Sequence, residues 1–270
     1  MSERRSDGVK SGSHDFRDVL DLASRLAPLK YSDEVVYSVL FGEYDSPPRL
    51  SGSTKADCFM FTDRPDKICL PWRAVYVDPS SFGFRRTGRY LKCLSHIIFP
   101  DARVSVYFDA SFLMLRSLDD ILSDHEDTNF ALFRHPQRDD IETEAVACKR
   151  ALKDDNTTID AQVFRYRSKG LPTPSSCYAT GVLVRNHKNE SVRRVNMAWC
   201  FEIYTGSVRD QISLPYVLWS ENLTPDEIKG NIYYNRYLVP GSHAGDSWWA
   251  RLRRQAGILV FRLFGSRTEK

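Results

Sequence analysis

No CxxC pair occurs among the six cysteines, which lie at positions 58, 69, 93, 148, 177 and 200. That spacing excludes the paired-thiolate pattern of a zinc site and gives no sign of a disulfide framework. Several of the six sit in apolar runs, where Cys acts as a small hydrophobe. A reducing cytoplasm is the expected setting. Long apolar runs are also missing: no stretch approaches the roughly 18 uninterrupted apolar residues of a membrane span. The opening MSERRSDGVKSGSHDF carries no apolar stretch behind its charges, so the expectation is a protein neither secreted by a standard signal nor membrane-spanning. HxH and HExxH clusters are absent, which counts against a metal-centred hydrolase. The body of the chain has no excess charge either. The net charge is +3, but residues 251–270 carry six Lys or Arg against one Glu, a local +5 that leaves the rest at −2. Such a body is not a nucleic-acid-binding surface, and no nucleic-acid partner is expected.

What the chain does have is ordinary globular composition, 42% hydrophobic and 27% charged over 270 residues, enough to bury one large core. Residues 1–13 are polar and rich in Ser and Gly, the composition of a disordered tail. Phe16, Val19, Leu20, Ala23 and Leu26 then fall at helical spacing, which predicts a short amphipathic helix before the first strand. Apolar, β-branched runs predict strands at 35–41, 58–61, 74–77, 104–108, 130–133 and 179–184, with helical patterns at 87–99, 117–122 and 141–153. Past residue 190 the pattern turns helical around MAWCFEIY and RDQISLPYVLW, and NIYY at 231–234 reads as one more strand. No internal repeat is visible. Strands alternating with helices predict an α/β, Rossmann-like layered fold with a central, mostly parallel sheet flanked by helices. The domain division that follows is a tail and helix at 1–30, a main domain at 31–240 and a basic amphipathic helix at 241–270.

Polar residues gather where the predicted strands stop: FGEYD at 41–45, Thr62 and Asp63, Asp109 and Ser111, Arg134 and His135. Carboxyl ends of strands are where open α/β sheets bind ligands, so these residues predict a shared rim. Asp109 ends the apolar run VSVYF, and as an isolated residue it could equally cap the next turn. Arg89 and Lys92 lie three apart on one helical face just upstream, a spacing that also suits a solvated surface.

The series VVYSVLFGEYD, CFMFTD, SVYFDAS, FALFRHPQRDDIETEAVACK, TTIDAQVFRYRSKGLP, GVLVRN and SVRDQISLPYVL, spanning about residues 33–219, resembles the glycosyltransferase-like family of plant mucilage-related and turgor-regulation proteins and their bacterial relatives. That family is in turn similar to GT-A nucleotide-sugar transferases, which implies a GT-A-like fold, a nucleotide-sugar donor and a glycan or lipid-linked glycan acceptor. In those enzymes a strand-end Asp-x-Asp holds a divalent metal on the donor diphosphate. By resemblance Asp109 corresponds to that motif, and Mn²⁺ or Mg²⁺ is the implied cofactor. Ser111 replaces the second carboxylate, and His243 is a candidate late ligand, although a loop histidine is the simpler reading. The resemblance also assigns substrate contacts to Asp63, Arg89, Lys92, Ser111, His135, Arg138, Glu144, Gln162, Gly181, Arg209 and Gln211, with Arg89 and Lys92 on the diphosphate. Asp210 and Glu202, from the segment that faces the acceptor in GT-A enzymes, are the catalytic candidates. Asp210 would serve as general base, or else cap the helix at Gln211 onward.

Two other functional classes stay open from sequence, a metal-assisted hydrolase of a lipid or glycoconjugate and a catalytically idle nucleotide-sugar-binding protein. The tail WWARLRRQAGILVFRLFG sets Trp248, Trp249, Leu252, Ala256, Leu259, Val260 and Leu263 on one side of a helix. Such a segment, residues 246–264, either docks on the domain or lies on an anionic membrane at the inner, cytoplasmic face.

Overall fold

The protein is seen in a computed structural model that describes residues 14–43, 47–48, 50 and 54–241. His243, the basic segment 246–264 and the polar start at 1–13 lie outside the described residues. The elements in chain order are α1 (Phe16–Ser24), β1 (Glu34–Leu40), β2 (Asp57–Thr62), β3 (Arg73–Tyr76), α2 (Gly83–Cys93), α3 (Ser95–Ile98), β4 (Val104–Phe108) and β5 (Phe112–Met114). There follow α4 (Leu118–Asp124), β6 (Phe130–Arg134), α5 (Ile141–Arg150), α6 (Asn156–Ser168), β7 (Tyr178–Asn186), α7 (Glu190–Thr205), α8 (Asp210–Ser220), β8 (Asp226–Glu227) and β9 (Leu238–Pro240).

Seven strands form one sheet in the order β3-β2-β1-β4-β7-β6-β8, and β5 pairs with β9 in a separate ribbon. Strands β3, β2, β1 and β4 run parallel, β8 runs parallel to β6, and β7 is antiparallel to both its neighbours. The sheet is thus mostly parallel, as the alternation of strands and helices implies. The apolar runs have a simple cause: β4 is buried at all five positions and β7 at its seven inner ones, because both faces of the sheet are covered. Val35, Tyr37, Phe59, Phe61 and Tyr107 point to the face carrying α1–α3 and α5–α8. Val36, Met60, Val106 and Phe108 point to the other, against α4 and the β5–β9 ribbon.

The segment 231–234 is not the strand its apolar residues suggest. Asn231 Oδ1 accepts the Tyr233 amide at 2.9 Å, and the Tyr234 amide returns to the Asn231 carbonyl at 2.9 Å. The asparagine side chain offers the backbone a local turn in place of a ladder. The single helical pattern at 87–99 is two helices, α2 beginning earlier at Gly83, whose φ is +76°, and α3 following a break at Leu94. Helix α6 and strands β5, β8 and β9 are absent from the sequence reading.

Candidate active site

Strands β1 and β4 are hydrogen-bonded neighbours running the same way, so their carboxyl ends open side by side. Phe41 leaves one and Asp109 the other. A cleft of about 490 Å³ lies there, lined by Phe41, Asp109, Ser111 and the Phe84, Arg85 and Arg89 side of α2. Its far wall is Lys153, from the α5–α6 connection, and Arg209, from the residues before α8. That wall is tied together by Asp154, whose Oδ2 accepts the Ser207 hydroxyl at 2.6 Å and the Val208 amide at 2.7 Å.

Asp109 is half-buried and points its carboxylate at the cleft. The Tyr107 hydroxyl donates to its Oδ1 at 2.6 Å, and its backbone N–H donates to the Gly181 carbonyl at 2.9 Å. Gly181 is glycine for a steric reason: a Cβ there would meet Phe112 at 2.9 Å, Ile232 at 3.1 Å and Asp109 Oδ2 at 3.2 Å. Because β7 runs against β4, the amino-terminal part of β7 abuts the carboxyl end of β4, which brings Thr180 and Gly181 to the rim.

Beneath Asp109 lies a buried ionic network. Lys92 and Asp210 are fully enclosed, at 0% and 1% exposure, and the ammonium stands 2.5 Å from Asp210 Oδ2 and 3.9 Å from Asp109 Oδ1. Thr180 Oγ1 donates to the same Asp210 oxygen at 2.9 Å. Arg89 bridges the two carboxylates, 3.5 Å from Asp210 and 3.9 Å from Asp109. Burial alone would raise the Asp210 pKa, but Arg89, Lys92 and Arg209 overcome it and hold the carboxyl well below its usual range. Burial likewise opposes the Arg89 charge, and Asp210 and Asp109 reverse it, so the guanidinium sits above its ordinary value.

These positions correct two sequence-based assignments. A general base must reach the attacking hydroxyl and take its proton, whereas Asp210 is enclosed, hydrogen-bonded and held ionised. Its place is to fix Lys92 and Arg89. Lys92 in turn is neither a surface charge nor a direct phosphate ligand; its ammonium is spent on Asp210. Arg89, a quarter exposed, is the member of the pair that reaches the cleft.

Glu202 belongs to a different network. Arg165 grips it through two nitrogens at 3.0 and 2.6 Å, and the Tyr166 hydroxyl donates to it at 2.6 Å. Burial would raise its pKa, but these partners hold it below the ordinary glutamate value. Gln162 joins the same group, donating to Tyr166 at 2.6 Å and to the Glu202 carbonyl at 3.1 Å, and accepting the Ser207 amide at 3.0 Å. Both residues fasten α6 to α7 and to the loop before α8; neither lines the cleft. Asp63 accepts the Gly42 amide at 3.0 Å and so shapes the chain leaving β1. Gln211 donates to the Tyr178 carbonyl at 3.3 Å and lies 3.4 Å from the Arg209 guanidinium.

His135, Arg138 and Glu144 do meet. Arg138 Nη1 is 2.5 Å from Glu144 Oε2 and 2.9 Å from His135 Nε2. Burial, then the neighbouring Arg138 charge, lowers the His135 pKa against the opposing pull of Glu144. The residues that sequence reading missed are Tyr107, Thr180, Arg85, Lys153 and Asp154. Tyr107 was legible as the strand residue two before Asp109, on the same side of the pleat; the others come together only through long-range packing.

A divalent metal asks for several hard oxygen ligands. The described residues lining the cleft supply one carboxylate, Asp109, which accepts the Tyr107 hydroxyl and has Arg89 and Lys92 3.9 Å away, and one neutral hydroxyl, Ser111. Asp210 is taken by Lys92, Thr180 and Arg89. Among the described residues no group of three or more His, Cys, Asp or Glu side chains gathers to hold a metal, so they do not by themselves make up a metal site.

The family model for the TOD1/MUCI70 glycosyltransferase-like domain matches residues 59–236. The chain belongs to this family. It is 31% identical over 242 residues to the probable hexosyltransferase MUCI70 of Arabidopsis thaliana, a match that takes in 75% of this chain and 41% of the plant protein. The chain therefore spans about two fifths of the length of that relative. Among solved structures it is similar to apo mouse xyloside xylosyltransferase 1, with a TM-score of 0.45 and 8% identity over 72% of this chain and 85% of that one. The matched segment begins inside β2 and ends before β9, and so includes α2, Asp109, the buried network and the wall at Lys153 and Arg209.

Proposed function

We propose that this glycosyltransferase-like domain transfers a sugar from a nucleoside-diphosphate donor, held in the cleft at the ends of β1 and β4, to a hydroxyl of a glycan or lipid-linked glycan. One observation carries the reading: the cleft presents Arg85, Arg89, Lys153 and Arg209 around the single carboxylate of Asp109, a charge balance suited to a doubly charged diphosphate beside a neutral sugar. When the anomeric C–O bond breaks, negative charge builds on the departing diphosphate, and fixed guanidinium and ammonium groups stabilise it without reorganising. Arg89 is best placed for this, because Asp210 holds it from behind at 3.5 Å. Asp109, held by Tyr107, accepts hydrogen bonds from the donor's hydroxyls. Glu202 and Gln162 keep the wall at Ser207–Arg209 in register. The cleft volume of about 490 Å³ lies within the roughly 300–1,000 Å³ usual for small-molecule sites.

We also infer a cytoplasmic setting, with residues 246–264 as a contact to the inner membrane face; the support is six cysteines that are all free, five of them buried, and the charge of +5 over residues 251–270. No helix among the described residues is long and apolar enough to cross a membrane. The test of the main reading is a thermal-shift screen of UDP-, GDP-, CMP- and dTDP-sugars with and without Mn²⁺, followed by assay of donor cleavage. A ligand at a hundred times its Kd stabilises the folded state by about 2.7 kcal/mol, a readily measured shift. One nucleotide class is expected to stand out and to be cleaved. Binding without cleavage leaves an idle binding protein, and a flat screen at millimolar ligand refutes the donor site.

A further inference from the structure

A second depression, of about 700 Å³, runs along the outer face of α5. Val146, 44% exposed, and Ala147 form its floor, with Arg138 beside the start of the helix and Arg150 at its end. The charges on this face are unevenly spent. Glu142 is paired with Arg167 at 2.9 Å, while Arg150 has no ion-pair partner among the described residues. Arg138 has donors to spare. Its Nη1 faces His135 Nε2, yet the ring's Nδ1 already accepts the Gln137 amide at 3.2 Å. A neutral imidazole has only one acceptor nitrogen.

This depression and the donor cleft share a residue between them. Glu144, buried at 2% exposure, holds Arg138 at 2.5 Å through Oε2 and lies 3.9 Å from Arg209 through Oε1. One enclosed carboxylate thus stands between an arginine that opens on the α5 groove and an arginine that opens on the cleft. The chain is continuous as well, since Ala151 lines the groove and Lys153 the cleft.

We propose that the α5 groove is the acceptor subsite and that it takes an acidic oligosaccharide, with one sugar carboxylate on Arg138, another on Arg150 and the C–H face of a ring on Val146 and Ala147. This rests on the sugar-transfer reading. Ten helical residues rise about 15 Å, so the two arginines are met by an oligosaccharide and not by a single sugar. Planar guanidinium forks suit carboxylates, and an apolar floor between charged ends suits the amphipathic edge and face of a pyranose.

Calorimetric titration of the full chain with a glucuronate-containing tetrasaccharide, and with the same tetrasaccharide after its carboxyls are reduced to alcohols, tests the proposal. A nucleoside diphosphate is titrated in parallel. The acidic form is expected to bind at least tenfold more tightly than the reduced form and to lose at least tenfold in Arg150→Glu and in Val146→Asp. Both substitutions are at exposed positions outside the cleft, so nucleotide affinity should stay unchanged in each. Equal affinity for the acidic and reduced forms, no binding of either, or full affinity in Arg150→Glu overturns the subsite while leaving the donor reading intact. Failure of the wild-type chain to bind any nucleoside diphosphate is a separate result that sinks the donor reading and the subsite with it.

Discussion

Removing Lys92 tests the buried network most directly. In Lys92→Met the side chain keeps its length and apolar stem but leaves Asp210 enclosed, with Thr180 at 2.9 Å and Arg89 at 3.5 Å as its remaining partners. Breaking a buried ion pair by deleting one partner costs about 3–5 kcal/mol, and Arg89 at 3.5 Å only partly replaces the 2.5 Å contact that is lost. For a domain of this size each kcal/mol moves Tm by about 2–4 °C, so the expected fall is roughly 6–20 °C. Asp210→Asn should cost a similar amount by stranding the Lys92 ammonium. The double variant Lys92→Met/Asp210→Asn removes both charges and should recover much of the loss, a coupling that a double-mutant cycle in urea reads directly. The pH dependence has a definite sign. The folded Asp210 pKa lies below its unfolded value of 3.8, so the stabilisation is complete above about pH 5 and is lost progressively as the pH falls below 3.8. In Asp210→Asn that acid-side loss should be smaller. Losses under 1 kcal/mol in both single variants, the behaviour of a solvent-exposed pair, would refute the reasoning.

Asp109→Ala should abolish sugar transfer with circular dichroism unchanged, since the residue ends a strand and faces the cleft; retained activity with the correct donor removes Asp109 from the site. Gly181→Ala should lower activity more than tenfold while costing about 1–3 kcal/mol of stability, because the added methyl presses on Phe112, Ile232 and the Asp109 carboxylate; a fully active variant would show that the rim yields freely. Glu202→Gln should lower Tm yet leave the KM for donor within about twofold in the folded fraction, and a selective loss of kcat would restore Glu202 as a catalytic residue. For the basic tail, the full chain should co-sediment with phosphatidylglycerol vesicles at low salt better than a chain ending at Gly245, each basic residue contributing about 1 kcal/mol near the surface; equal sedimentation leaves the tail without a membrane role.

The sheet and the rim were legible because they rest on local signals. Strands covered on both faces must be apolar throughout, so VSVYF and GVLV show themselves, and a carboxylate at the end of such a run stands out. Helix α6 was hidden for a definite reason: it buries Gln162 beside Ile159 and Tyr166 and leaves Phe164 75% exposed, which reverses the usual sorting of apolar and polar faces. Strands β5 and β9 have three residues each, and each is defined by a partner more than a hundred positions away. The same distance concealed the roles of Lys92 and Asp210. A lysine on a helix reads as solvated until the chain brings an aspartate 118 residues later to within 2.5 Å of it. Glu202 likewise looks like an available carboxylate until Arg165 and Tyr166 claim it.

The β5–β9 ribbon fixes where the last of the described residues lie. Gly241 donates its amide to the Ser111 carbonyl at 2.5 Å, an approach so close that a Cβ on residue 241 would stand 2.7 Å from that oxygen. Ser111 lines the cleft, so Gly241 stands at the rim of that cleft and not behind the sheet. A side chain at position 241 would therefore push on the Ser111 carbonyl and reshape the lip of the cleft from 130 positions away along the chain.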